Sequence, residues 1–177
     1  LRLLAMLAPL GMVLTISGAI DRLSSSTASL LFLGYSVLTG VMLSVIFVAY
    51  DPTVIATTFF ITAGTFAVMS VYGFVTKTDL SGMGSFLRMG VIGLVLAIIV
   101  NWIIGSPALN FAISVIGVLV FTGLTAYDTQ RLRETYVPGM EVTEDGKKIA
   151  IIGALSLYLN FINLFLFLLR LIGGGRR

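Results

Sequence analysis

Six runs of mostly apolar residues follow one another along this chain, at about 3–20, 29–50, 53–75, 86–104, 108–127 and 149–172. Each is close to the twenty residues that a helix needs to cross about 30 Å of hydrocarbon. The separators are short and polar or turn-forming: Asp21-Arg22 with Ser24-Ser25-Ser26, Asp51-Pro52, Lys77 to Gly84, Gly105-Ser106-Pro107, and Thr129 to Lys148. Composition agrees: 58% of side chains are apolar, 11% are charged and the mean hydropathy is +1.07. A soluble domain has about 45–50% and 25%, and one of about 150 residues still exposes roughly a third of its unfolded surface. Water could not hold such a chain folded. The expected fold is therefore an all-α polytopic membrane protein, one transmembrane helical bundle over residues 1–177 with the lipid bilayer as its partner. The run 3–20 has no basic segment followed by a small-residue cleavage site, so it reads as a true span rather than a signal peptide. Leu1 is not methionine and stands at the edge of an apolar run, from which an N-terminal truncation is expected.

Lysine and arginine in short loops mark the cytoplasmic side. The first, third and fifth connections hold Arg22, Lys77 with nearby Arg88, and Arg131, Arg133, Lys147 and Lys148, and the second and fourth hold none. Loops 21–28, 76–85 and 128–148 are thus predicted to be cytoplasmic. Arg170, Arg176 and Arg177 run against this count. Either the last segment crosses fully and tolerates a basic tail, or it dips in and returns at Asn160 and Asn163.

The absence of cysteine and histidine removes thiolate metal sites, the commonest zinc ligand and the commonest general base. No Ser-His-Asp triad or HExxH motif can be built, and one intramembrane carboxylate does not make an acid–base pair. The chain is expected to be neither an enzyme nor the holder of a cofactor. The net charge of +3 sits in loops and ends, so nucleic acid is not an expected partner. No repeat of fixed period and no matched pair of Pro-broken helices points to an inverted-repeat transporter.

Ionisable groups inside a membrane are costly, about 2.5–3.5 kcal/mol at the centre on insertion scales, and few occur here. Arg88 and Arg170 lie near span ends and read as snorkelling anchors. Asp21, Asp51, Asp79, Glu134, Glu141, Glu144 and Asp145 read as turn or loop charges. Asp128 stands apart at the cytoplasmic mouth of the fifth span, where an acid at a helix C-terminus opposes the macrodipole and needs compensation. Arg131, three residues on, and Arg22, in a loop on the same side, are the candidate latches. In the last span Gly153, Ser156, Asn160 and Asn163 recur at steps of 3, 4 and 3, a small polar face that must point inward with its amides bonded to neighbours. Ser36, Gly40 and Ser44 form a packing stripe in the second span, and Ser81-Gly82-Met83-Gly84 reads as a turn.

Three stretches resemble the Bax inhibitor-1 (transmembrane Bax inhibitor motif) family, especially its YbhL- and YccA-like bacterial members. They are Tyr72 to Gly82, Gly123 to Leu132 with the sequence GLTAYDTQRL, and Gly153 to Phe165 with the sequence GALSLYLNFINLF. The resemblance implies seven helices with the last packed centrally, of which this chain would lack the first, and a place in the bacterial inner membrane. It implies a pH-sensitive calcium leak, with Ca²⁺ as the permeant or bound ion. A bacterial relative binds and modulates the membrane protease FtsH, which makes a non-conducting, partner-binding regulator the alternative. The family's sensor is a pair of aspartates that share a proton. Asp128 matches the first, also as a weak Ca²⁺ contact, and Asn160 stands at the second. The expected ion pathway is therefore Asp128, Asn160, Asn163 and Ser156, closed by an ionised Asp128 paired with Asn160 and with Arg22 or Arg131. An amide partner puts the shared-proton switch in question, because coupled titration needs two acids.

Overall fold

The computed structural model describes residues 23–174; the predicted span 3–20, the latch candidate Arg22, and Arg176 and Arg177 lie outside them. Because hydrocarbon offers no hydrogen bonds, each span must satisfy its own backbone, and the polar residues flanking each run finish the helix ends. Helix α1 covers Ser25–Leu43, and Ser24 caps it by accepting from the Thr27 amide at 3.2 Å. It breaks at Ser44, whose hydroxyl donates to the Val41 carbonyl at 2.6 Å, and resumes as the short α2, Ile46–Ala49. Helix α3, Pro52–Val75, starts with proline in its first turn behind Asp51, which accepts from the Thr53 amide at 2.8 Å. Helix α4, Ser81–Ile104, is closed by Gly105 in the left-handed conformation at φ 68°. Helix α5 runs over Pro107–Thr135, a 3-10 turn over Met140–Val142, and α6 over Glu144–Gly173.

Among the described residues five helical segments are long and apolar enough to cross a membrane: Ser25–Ala49, Pro52–Val75, Ser81–Ile104, Pro107–Thr135 and Glu144–Gly173. They match the last five of the six predicted spans, with three differences. Residues 81–84 are the first turn of α4 rather than a separate turn, because the Asp79 carboxylate accepts from the Ser81 amide at 2.9 Å and begins the helix there. Helix α5 continues past 127 to Thr135, so its charged end is helix that projects beyond the apolar run. Asp128 is therefore not a helix C-terminus, and the macrodipole, felt only in the last turn, does not act against it. Helix α6 is unbroken through Asn160 and Asn163, which removes the re-entrant alternative for the last segment.

The described residues form two compact units, 23–49 with Tyr136–Leu155, and Tyr50–Thr135 with 156–174. In the first, Glu144 at the start of α6 accepts from both the backbone amide and the hydroxyl of Ser25, each at 3.1 Å. One carboxylate thus serves the electropositive N-termini of two helices. Glu141 accepts from the Gly139 amide at 3.0 Å and the Tyr136 hydroxyl at 3.3 Å, folding a connection that needs glycine at φ 91°.

In the second unit Leu87 and Leu94 of α4, Ile113, Val120, Phe121 and Leu124 of α5, and Leu164 and Phe167 of α6 form one apolar core. Phe161 of α6 meets Phe59 and Phe66 of α3 edge-on, with ring centroids 5.8 and 5.4 Å away. Outward-facing side chains are as apolar as the core: Phe60 is 74% exposed and Ile103 75%, a surface only lipid can cover. Helices α3 and α5 pack backbone to backbone at Gly73, where a Cβ would lie 2.2 Å from the backbone oxygen of Ala126. Substitution of Gly73 by alanine should therefore destabilise the fold by about 2 kcal/mol or more, since a backbone must move. Gly93 has nothing within 4 Å of its own Cβ position. Gly93→Ala should be neutral or stabilising by up to about 1 kcal/mol, and thermal unfolding in detergent compares the two.

Candidate functional site

The side-chain hydrogen bonds that join different elements of the second unit among the described residues gather around the C-terminal turns of α5. Successive residues of a helix point about 100° apart, and three consecutive ones here address three different helices. The Ala126 backbone lies against Gly73 of α3, the Tyr127 ring covers Gly84 of α4, and Asp128 faces α6. Its partner there is Asn160, only 4% exposed, whose Nδ2 donates to Asp128 Oδ2 at 2.7 Å. This is the one side-chain hydrogen bond between α5 and α6 among the described residues.

The other predicted pathway residues take different places. Asn163 turns back on its own helix, donating to the Leu159 carbonyl at 2.8 Å, so the expected amide bond to a neighbour is made by Asn160 and not by Asn163. Ser156 is half-buried one turn before Asn160. Arg131 is exposed and forms no ion pair with Asp128 within 4 Å; its charge and that of Arg88 act on the carboxylate at longer range. No three acidic side chains converge among the described residues, so a cation at the mouth would meet one carboxylate and the Asn160 amide oxygen.

Three side chains that sequence reading did not assign to the site complete it. Gln130, 3% exposed, donates through Nε2 to the Thr78 carbonyl at 2.7 Å and accepts from the Leu80 amide at 2.9 Å. Arg133 donates through Nη1 to the carbonyls of Phe74 and Thr76, the latter at 3.2 Å. These are carbonyls that the C-terminal turn of α3 leaves open, and a cation there also suits the macrodipole. Ala126, Gln130 and Arg133 stand at i, i+4 and i+7, one stripe of α5 that holds α3 and the turn to α4. That spacing would have exposed the stripe had the helix been extended past residue 127. Arg88 donates to the Tyr127 hydroxyl at 2.8 Å with its guanidinium 5.0 Å from the ring centroid.

Known proteins of similar sequence include membrane proteins. The family described as "Inhibitor of apoptosis-promoting Bax1" matches residues 1–177. An uncharacterized protein of Borreliella burgdorferi is 52% identical over 166 residues, covering 94% of this chain and 72% of the relative. Inner membrane protein YbhL of Escherichia coli K12 is 49% identical over 174 residues, covering 96% and 73%. An uncharacterized membrane protein of Streptococcus pyogenes is 43% identical over 162 residues, covering 92% and 69%.

Replacing Gln130 by leucine keeps the volume but leaves the buried Leu80 amide without an acceptor. The expected cost is about 1–3 kcal/mol, with faster hydrogen exchange at Leu80 as the local readout. Outside the spans, the Ser81 amide holds the Asp79 carboxyl below the usual carboxylate range. The start of α4 should then be fully bonded above the ordinary aspartate pKa and loosen as pH falls through the lowered one, which an NMR titration of the Ser81 amide follows.

Proposed function

This chain belongs to the Bax inhibitor-1 family and is an integral protein of the inner membrane, and on that premise we propose that it is a passive, pH-modulated cation leak, with Ca²⁺ as the ion and Asp128 as its control. The observation that carries the reading is the Asp128–Asn160 bond, in which a half-buried carboxylate and a buried amide tie α5 to α6. Withdrawing a carboxylate even partly from water costs free energy that a pair of neutral side chains would not, which favours a role beyond tethering. Asp128 also supplies the hard oxygen that Ca²⁺ prefers, although one carboxylate binds it only weakly.

The same bond provides a route for pH to act. Asp128 Oδ2 accepts from an amide NH₂, which has no lone pair to return. A proton on Oδ2 sets a donor against a donor, and one on Oδ1 leaves Oδ2 a neutral and weaker acceptor, so protonation weakens the bond in either case. Control through a single carboxylate is thus chemically sufficient, without the pair of acids the family uses. Putting a second acid at Asn160 would add a coupled titration and sharpen the response.

The test is Ca²⁺ entry into liposomes holding the full-length protein, from about pH 5 to 8. Flux above that of empty liposomes is expected, dependent on pH. Asp128→Ala should remove that dependence and Asn160→Asp should steepen it. Equal and baseline flux for all three proteins at every pH would replace this reading with a non-conducting regulator that binds a membrane partner such as a protease.

A further inference from the structure

We propose that Arg88 is a positioning residue of the mouth, which locks the Tyr127 ring on α4 and thereby sets the rotation of the α5 turn that aims Asp128 at Asn160. The inference rests on the reading of Asp128 as the control point and adds the element that holds it in place.

Arg88 is the sole charged side chain of α4, seven residues in from its start, and it is exposed on the helix surface. An arginine at that depth has two ways to satisfy its guanidinium. It can extend to the lipid phosphates, or it can fold onto a local acceptor. Here it folds: Nη2 donates to the Tyr127 hydroxyl at 2.8 Å while the guanidinium carbon lies 5.0 Å from the ring centroid. One helical turn earlier on the same face of α4 is Gly84, buried under that ring. A Cβ at Gly84 would come within 2.3 Å of Tyr127 Cε2 and 2.5 Å of Cδ2 and Cζ. The ring is thus seated in the notch that glycine leaves, with its hydroxyl held by the cation one turn on.

Tyr127 and Asp128 are consecutive residues of an unbroken helix, so fixing the direction of one fixes the direction of the other. A small rotation of this turn would carry the Asp128 carboxylate away from an amide now 2.7 Å from it. The guanidinium also lies near enough to attract that carboxylate without pairing with it. A lipid anchor needs neither the notch nor the hydroxyl bond.

The chain has no native cysteine, so a pair of introduced ones reports without background. With D128C and N160C together in the full chain in nanodiscs, the rate of cross-linking by a short thiosulfonate reads how well the two positions face each other, whether or not the protein conducts. Adding R88Q should slow the reaction by about tenfold, the change expected for loss of one charge-assisted hydrogen bond. Adding R88K should restore most of the rate. Y127F retains the ring over Gly84 and loses only the hydroxyl; it should slow the reaction like R88Q, and it decides the matter if R88Q fails to fold. Equal rates in all four backgrounds would overturn the proposal and return Arg88 to a membrane anchor. Ca²⁺ flux measured in parallel, in proteins that keep Asp128 and Asn160, separates the two ideas. Altered cross-linking without wild-type flux sinks the leak alone, and flux with unaltered cross-linking sinks the positioning role alone.

Discussion

Hydrocarbon cannot accept or donate a hydrogen bond, and most of this structure follows from where that shortage is met. Along the spans the helices meet it internally. At their ends it falls to individual side chains: Ser24 and Asp51 at the starts of α1 and α3, and Arg133 over the open carbonyls of Phe74 and Thr76. Gln130 serves both an amide and a carbonyl in the turn between α3 and α4. Mid-span hydroxyls such as Thr62, Ser114 and Thr125 turn to their own helix, whereas the side-chain bonds that join elements of the second unit gather around the end of α5, where the candidate site lies.

Helix α5 organises this region. Its faces at Ala126, Tyr127 and Asp128 each meet a different neighbour by a different kind of contact. Backbone against glycine and ring against glycine are stiff, since neither can give without moving a helix. The Asp128–Asn160 contact is different in kind: two side chains with rotatable bonds joined by one hydrogen bond. A helix held rigidly on two sides and by a breakable polar bond on the third has an obvious place to yield.

Legibility from sequence followed the same division. Spans were readable because a run of some twenty apolar residues has few other uses. Their polar ends were not: residues 81–85 and 128–135 are helical, yet outside hydrocarbon the signal of uniform apolarity stops and a solvated helix resembles a loop. The inward polar face of α6 was visible as a spacing, though spacing did not separate Asn160, which reaches α5, from Asn163, which bonds its own backbone. Gln130 and Arg133 bind main-chain atoms some fifty residues or more away, and a backbone carbonyl leaves no mark in a sequence. Arg88 illustrates a further ambiguity, since an arginine extended toward lipid and one folded onto a tyrosine are written with the same letter.

The connection between α4 and α5 bears on how such a chain enters a membrane. Gly105 turns the backbone in the left-handed region and Pro107 already belongs to the next helix, so the two spans are joined by only Gly105 and Ser106. Neither carries a charge, whereas Lys77, Arg88, Arg131 and Arg133 all lie toward the opposite end of the pair. A hairpin with a neutral, two-residue tip can be threaded across the bilayer as one piece, with its basic base left behind on the side of synthesis. The contacts that seat Tyr127 on α4 lie wholly within that hairpin, so no other span has to be in place for them to form.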